Sequence, residues 1–188
     1  AGEDSPEMAW FYDIPHPMIY DMSIHHFDLM RLILGKDAVN VFAKRTDPPW
    51  SKYKDEGATS ALIEFDGGAV ATYSGSWMST EKPTFWSGEW VMEFEDGAIS
   101  FTSRAGGVAG VSGDSMTISR VGREPEKVVL DTPTYWGRAA GLLAFAEAIE
   151  TGVEPETSAR NNLGSLALMV AAARSTKTGQ VEPVQRFA

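Results

Sequence analysis

The feature that most constrains the fold is the order in which helix-type and strand-type hydrophobic patterns follow one another. Between residues 19 and 34, apolar side chains recur at helical spacing, and Gly35 follows as a C-cap. Short strand-type runs separated by turn residues then occupy residues 38–130. Two more helical patterns cover residues 136–151 and 159–176. One helix, a run of strands and two closing helices together predict an α+β fold.

The strand-type region predicts an open, mostly antiparallel sheet of six or seven strands with the helices packed on one face. Asp-Gly-Gly at residues 66–68 and Asp-Gly at residues 96–97 are typical of hairpin turns. We expect residues 1–188 to form a single domain. Large side chains occur on both faces of the predicted strands, as at Val70 and Tyr73. They predict that the outer face of the sheet associates with another copy of the chain.

Composition argues against several classes of partner. The net charge of −10 would repel nucleic acid and anionic membrane surfaces. No apolar run approaches the roughly 18 residues that a membrane-spanning helix needs. The absence of cysteine excludes disulfides and thiolate chemistry, and it fits a cytoplasmic protein. The polar residues 1–7 and the start at Ala1 lead us to expect a piece of a longer polypeptide.

The stretch most informative about chemistry is the first predicted helix. Offsets of four and seven residues place Asp21, His25 and Asp28 along one stripe of that helix. Spacing alone leaves three interpretations open: solvated ion pairs around a helical histidine, a metal site, or an acid/base pair.

Three other side chains are weighed as candidates. His26 lies on the apolar stripe of the helix and is expected to be a core histidine with one hydrogen bond. His16 stands between two prolines and is expected to be an exposed loop residue, the alternative being that it lines the same cleft. Trp86 lies in a predicted loop, where it could stack on a sugar or serve as an ordinary packing aromatic.

Residues 19–35 resemble the Asp-x-x-x-His-x-x-Asp helix of the Gfo/Idh/MocA family, which includes glucose–fructose oxidoreductase and inositol dehydrogenase. Residues 61–69 look like that family's strand and turn. Residues 145–152 and 175–179 resemble the ends of its two closing helices. The order and spacing of these motifs agree across nearly the whole chain.

This resemblance implies the C-terminal α+β domain of an NAD- or NADP-dependent oxidoreductase, which follows an N-terminal Rossmann domain and oligomerises through its open sheet. Asp21 and His25 match the family's catalytic pair, with His25 exchanging the hydroxyl proton and Asp21 orienting it. Asp28 matches the last motif residue and is expected to support substrate binding. Ser23 stands where the family often has glycine, and it is expected to narrow the space beside the substrate.

The leading hypothesis is therefore a domain that binds a sugar, cyclitol or related polyol, with Asp28 and Trp86 contacting the substrate. We expect it to hold no cofactor or metal by itself and to be inactive alone. The glycines at positions 106, 107, 110 and 113 lie between strands, whereas a phosphate-binding loop opens a helix. The alternatives are a non-catalytic scaffold module of the same fold, or a metal-dependent lyase or isomerase with Asp21, His25 and Asp28 as ligands.

Overall fold

The computed structural model describes residues 9–103 and 113–187, so the predicted loop glycines at positions 106, 107 and 110 lie outside the described residues. The described chain divides into two compact units. The first unit contains the residues up to 80 and those from 156 onward, and the second contains residues 81–155. The α+β class is confirmed. The eight strands of the described residues form two separate sheets of four strands each.

The first unit carries the helix with the candidate catalytic residues. Its elements are α1 (Ala9–Asp13), a π-helix (Met18–Ser23), α2 (Ile24–Leu34), β1 (Ala38–Thr46), β2 (Ala58–Phe65), β3 (Val70–Ser76), α4 (Ala159–Thr178) and β8 (Glu182–Pro183). The sheet order is β3-β2-β1-β8, and every neighbouring pair is antiparallel. The helix α4 packs on β1 and on α2. The sequence patterns did not predict the short strand β8.

The inner face of the first sheet forms the core of this unit. Along β2, side chains alternate between buried and exposed, as a strand with one covered face requires. Ile63 is fully buried and pairs across the sheet with Val41, which is also fully buried. On the outer face, the exposed side chains of Phe42 and Leu62 lie opposite each other. The outer face is therefore partly apolar in the described unit.

The second unit contains an antiparallel meander and one helix. Its elements are β4 (Glu89–Phe94), β5 (Gly97–Thr102), β6 (Ser115–Arg120), β7 (Glu126–Lys127) and α3 (Arg138–Thr151). The sheet order β4-β5-β6-β7 follows the order along the chain. Trp90 stacks on its cross-strand neighbour Phe101, with ring centroids 5.6 Å apart. This arrangement matches the predicted meander of short strands joined by tight turns.

Within the described residues, no helix combines the length and the apolar character that crossing a membrane demands.

Candidate functional site

The candidate site lies on a helical segment that begins as a π-helix and continues as α2. The predicted helix over residues 19–34 is confirmed in extent, but its first part, Met18–Ser23, is a π-helix. Gly35 ends α2 with φ +59°, and its N–H donates to the Arg31 carbonyl at 2.8 Å. Short π segments within helices occur frequently at functional sites. A simple count of 3.6 residues per turn therefore does not describe the positions around Asp21.

A buried tyrosine of β3 holds the inner face of this segment. The Ser23 hydroxyl lies 2.9 Å from the Met18 carbonyl oxygen and 3.0 Å from the Tyr73 hydroxyl. His26 Nδ1 lies 3.2 Å from the same Tyr73 hydroxyl, and the Phe27 ring packs edge-on against Tyr73 at 5.4 Å. A Cβ atom at residue 75 would collide with the Tyr73 hydroxyl, so glycine at that position leaves room for it.

These contacts bear on two expectations drawn from the sequence, one for Ser23 and one for His26. Ser23 is fully buried and faces Tyr73, so the expectation that it narrows the space beside a substrate is wrong. A serine hydroxyl on the inner side of the helix finds its partners in the core, which directs it away from solvent. His26 makes the expected hydrogen bond, although its side chain is only half-buried.

The predicted acid/base pair occupies the opposite side of the segment. Asp21 and His25 are both exposed, whereas Ser23 and Phe27 of the same segment are buried. Because Phe27 and Ser23 face inward, Asp21 and His25 remain accessible to a molecule approaching from outside the unit. Their catalytic role stays a prediction.

Asp28 is engaged in a polar network between two helices. The Ser165 hydroxyl of α4 donates to Asp28 Oδ1 and also accepts from the Arg31 guanidinium at 2.8 Å. Arg31 in turn donates to Asp37 at 2.8 Å. The described contacts of Asp28 therefore join α2 to α4. Its predicted part in substrate binding stays a prediction.

An open pocket of about 350 Å³ lies beside this network in the first unit. Its lining consists mainly of charged and polar side chains, namely Asp28, Arg31, Lys36, Asp37, Glu156 and Asn161, together with Leu32 and Gly35. Asp21 and His25 are not among the lining residues. The pocket is therefore separate from the predicted acid/base pair.

Trp86 belongs to the second unit, in a turn that precedes β4. Its side chain is 40% exposed. Partial exposure of an indole is compatible with stacking on a ligand and equally with ordinary packing. Its predicted contact with a substrate stays a prediction.

A cluster that sequence reasoning missed surrounds His16. His16 is fully buried, so the expectation of an exposed loop histidine is wrong. Its Nδ1 shares a hydrogen bond of 2.7 Å with Oε1 of the fully buried Glu56, and its backbone N–H donates to Asp55 Oδ2 at 3.0 Å. Arg45 donates a short hydrogen bond to the other oxygen of Asp55. Four polar side chains thus meet beside the start of the π-helix.

The backbone explains why this histidine turns inward. His16 has φ +47°, a left-handed conformation that non-glycine residues adopt uncommonly. Proline on both sides restricts the neighbouring backbone, and the resulting turn directs the imidazole toward residues 55 and 56. The Pro-His-Pro motif at residues 15–17 is evident in the sequence. Nothing in the sequence linked it to an Asp-Glu pair about forty positions away.

Burial governs the charges of this cluster. Desolvation raises the pKa of Glu56 to about 8, and the neighbouring Asp55 carboxylate adds to the rise. Desolvation also lowers the pKa of His16, against the opposing effect of Asp55. Near neutral pH, the buried pair of His16 and Glu56 is therefore largely uncharged, while the Asp55 pKa is held low and its carboxylate pairs with Arg45.

The cluster also bears on the metal-dependent alternative. Among the described residues, His16, Asp55 and Glu56 form the one group of histidine and carboxylate side chains whose ligand atoms converge closely. Asp21, His25 and Asp28 do not form such a group. The geometry thus gives no support to a metal-dependent lyase or isomerase built on the predicted helical stripe.

We expect Tyr73→Phe to lower the free energy of unfolding by about 1 kcal/mol, because the Tyr73 hydroxyl contacts both Ser23 and His26 in a buried setting. Urea denaturation measures the change. The matched control is Tyr135→Phe, whose side chain is 56% exposed and which should change stability by less than about 0.5 kcal/mol. Equal effects of the two substitutions would contradict the anchoring role of Tyr73.

Comparison with known proteins identifies the family of this chain. The sequence profile described as the GFO/IDH/MocA C-terminal domain matches residues 2–100. A curated relative, the uncharacterized protein y4oX of Sinorhizobium fredii, is 27% identical over 179 residues, which is 94% of this chain and 49% of the relative. The chain therefore spans about half the length of the curated relative that it matches.

Solved structures agree on the fold. An oxidoreductase from Agrobacterium radiobacter, solved with NAD+, L-tartaric acid and magnesium, superposes with a TM-score of 0.75 at 19% identity over 93% of this chain and 51% of that one. The aldose–aldose oxidoreductase from Caulobacter crescentus, solved with glycerol, gives 0.71 at 18% identity over 88% and 47%. Because the family profile covers more than half of the chain and these oxidoreductases share its fold, the chain belongs to the GFO/IDH/MocA C-terminal domain family.

Proposed function

We propose that this chain is the substrate-binding and oligomerising part of an NAD- or NADP-dependent oxidoreductase that acts on a sugar, a cyclitol or a related polyol. The observation that carries the proposal is the exposure of Asp21 and His25 on a helical segment whose other face is buried. An imidazole and a carboxylate are the groups that an alcohol dehydrogenation uses for proton transfer.

The chemistry assigned to these residues is the oxidation of a secondary alcohol or its reverse. His25 accepts the hydroxyl proton while the carbon atom loses a hydride, and the alcohol becomes a ketone. Asp21 lies four positions earlier and orients or polarises the imidazole. When bound, the nicotinamide cofactor supplies the hydride acceptor or donor.

The described residues fit an arrangement in which another domain holds that cofactor. The sequence has no glycine-rich turn between a strand and a helix that could bind the pyrophosphate. The accessible side chains of Asp21 and His25 leave room for a nicotinamide and a substrate to approach from outside the unit. A nucleotide-binding domain elsewhere in the polypeptide would hold the nicotinamide, in keeping with relatives about twice as long as this chain.

A polyol or sugar is the proposed class of substrate. The similar structures were solved with glycerol and with L-tartaric acid, both of which carry hydroxyl groups on adjacent carbon atoms. Asp28 and Trp86 are the proposed substrate contacts, through hydrogen bonds to hydroxyl groups and stacking on a sugar ring.

The proposal also includes association of two or more copies of the chain through the outer face of the first sheet. The outer face of that sheet exposes Phe42, Leu62 and Val70, at 37%, 45% and 60% respectively. Phe42 and Leu62 are direct cross-strand partners, and Val70 pairs with Glu64 one step further along the sheet. An apolar area framed by polar side chains is typical of a protein–protein interface.

The activity test joins the chain to a nucleotide-binding domain of a relative and screens sugars and cyclitols for reduction of NAD+ or NADP+. We expect turnover with at least one polyol, and we expect His25→Gln to lower kcat by about 100-fold to 10,000-fold because it removes the proton acceptor. His26→Gln is the matched control and should change kcat by only a few-fold. Equal rates for His25→Gln and the parent enzyme would contradict the assignment.

A second experiment tests the interface. We expect the chain to sediment as an oligomer, and we expect Leu62→Glu to convert it to monomers with an unchanged circular dichroism spectrum. The buried carboxylate would be costly in an apolar contact, whereas it is tolerated on an exposed face. Sedimentation of the parent chain as a monomer at micromolar concentration would contradict the proposed interface.

A further inference from the structure

We propose that His16, Asp55 and Glu56 form a binding site for one divalent transition-metal ion of the Zn2+ type. The site is independent of the proposed oxidoreductase chemistry, because none of its members belongs to the predicted acid/base pair. It lies where the turn before the π-helix meets the segment before β2.

The geometry of the donor atoms is the first argument. One ligand atom from each of His16, Asp55 and Glu56 lies within 4.8 Å of the other two. His16 Nδ1 is 2.7 Å from Glu56 Oε1 and 3.6 Å from Asp55 Oδ2. Donor atoms around a tetrahedral Zn2+ with bonds of about 2.0–2.1 Å are roughly 3.3 Å apart. The two distances from His16 Nδ1 differ from this value by about 0.6 and 0.3 Å, so movements of about half an ångström would bring the imidazole to ligand separations from both oxygens.

An unpartnered buried atom is the second, independent argument. Glu56 is fully buried, and its Oε2 makes no hydrogen bond to any of the described residues. The Arg45 guanidinium lies 3.8 Å from this oxygen, which is too far for a hydrogen bond. Buried polar atoms normally have a hydrogen-bond partner or bind a metal. An ion held by Glu56 through both oxygens would give Oε2 the partner that it lacks.

The donor set indicates the class of ion. Imidazole nitrogen suits Zn2+, Fe2+ and related ions, and carboxylate oxygen is a common additional ligand. The sequence contains no cysteine, so sites built on thiolates do not apply. With both oxygens of Glu56 bound, the three side chains supply four donor atoms, and Asp55, at 21% exposure of its side chain, is the member that borders solvent. Arg45 stays paired with Asp55, and the carboxylates of Asp55 and Glu56 offset the positive charge of the ion.

The position of the site gives the ion a structural role. His16 accepts a hydrogen bond from the Tyr20 N–H through its carbonyl at 2.8 Å, and its ring packs against the Tyr20 ring at 5.4 Å. A metal ion on His16 would fix this first turn of the π-helix to the residues before β2. The helix that bears Asp21 would then be held at its beginning as well as at Tyr73.

The test uses the complete chain after dialysis against a chelator. Calorimetric titration with Zn2+ should show one ion per chain, and Co2+ should give the absorption of a four-coordinate nitrogen and oxygen site. We expect Glu56→Gln, which preserves the shape of the uncharged side chain, to weaken Zn2+ binding at least about 100-fold with an unchanged circular dichroism spectrum. Asp55→Asn should weaken it as well.

The matched control is His26→Gln, which should keep the affinity of the parent chain. Absence of stoichiometric Zn2+ and Co2+ binding would overturn the proposal. Binding that survives in Glu56→Gln, or that disappears in His25→Gln, would locate the ion elsewhere and would overturn it equally.

Discussion

Packing of one face of the segment Met18–Leu34 against the first sheet and α4 determines how that segment is rotated about its axis. Met18, Ile19 and Phe27 are almost completely buried, and full burial of each such side chain contributes roughly 1.5–3 kcal/mol. A rotation that buried Asp21 or His25 instead would lose this contribution and would desolvate polar groups. The exposed side of the segment is therefore fixed by its buried side.

Polar contacts further fix the orientation of the segment that burial of its apolar side chains determines. Tyr73 gathers Ser23 and His26 around one hydroxyl, and burial raises the pKa of Tyr73, so that it remains a neutral phenol. Asp28 and Arg31 connect the far end of the segment to α4 through Ser165. The helix is held in this way at its middle and toward its carboxyl end by side chains from two other elements.

The sequence predicted the parts of the fold that depend on local periodicity. The helix ending at Gly35 and the strands β1 to β7 were found near the expected residues, because alternation and helical spacing reflect burial on one face. The division of the strands between two sheets was not predicted. Hydrophobic patterns show that a strand has a buried face, but they do not show which strands pair with it. The π-helix was missed because spacing rules assume a regular α-helix.

The candidate site was only partly predictable for the same reason. Asp21 and His25 follow from a motif contained in one helix, and their exposure agrees with a helix that is amphipathic along its length. His16 was misjudged, because its burial depends on a left-handed turn and on two acidic residues about forty positions away. Contacts between residues so far apart in the sequence cannot be predicted from composition or periodicity.

Chemical modification of the three histidines tests most directly whether this helix orientation is correct. The complete chain is treated with limiting diethylpyrocarbonate, and the modified residues are quantified by mass spectrometry over time. We expect His25 to react first, the half-buried His26 to react more slowly, and the fully buried His16 to react only when the protein unfolds. Rapid modification of His16, or protection of His25 comparable with that of His16, would contradict this expectation.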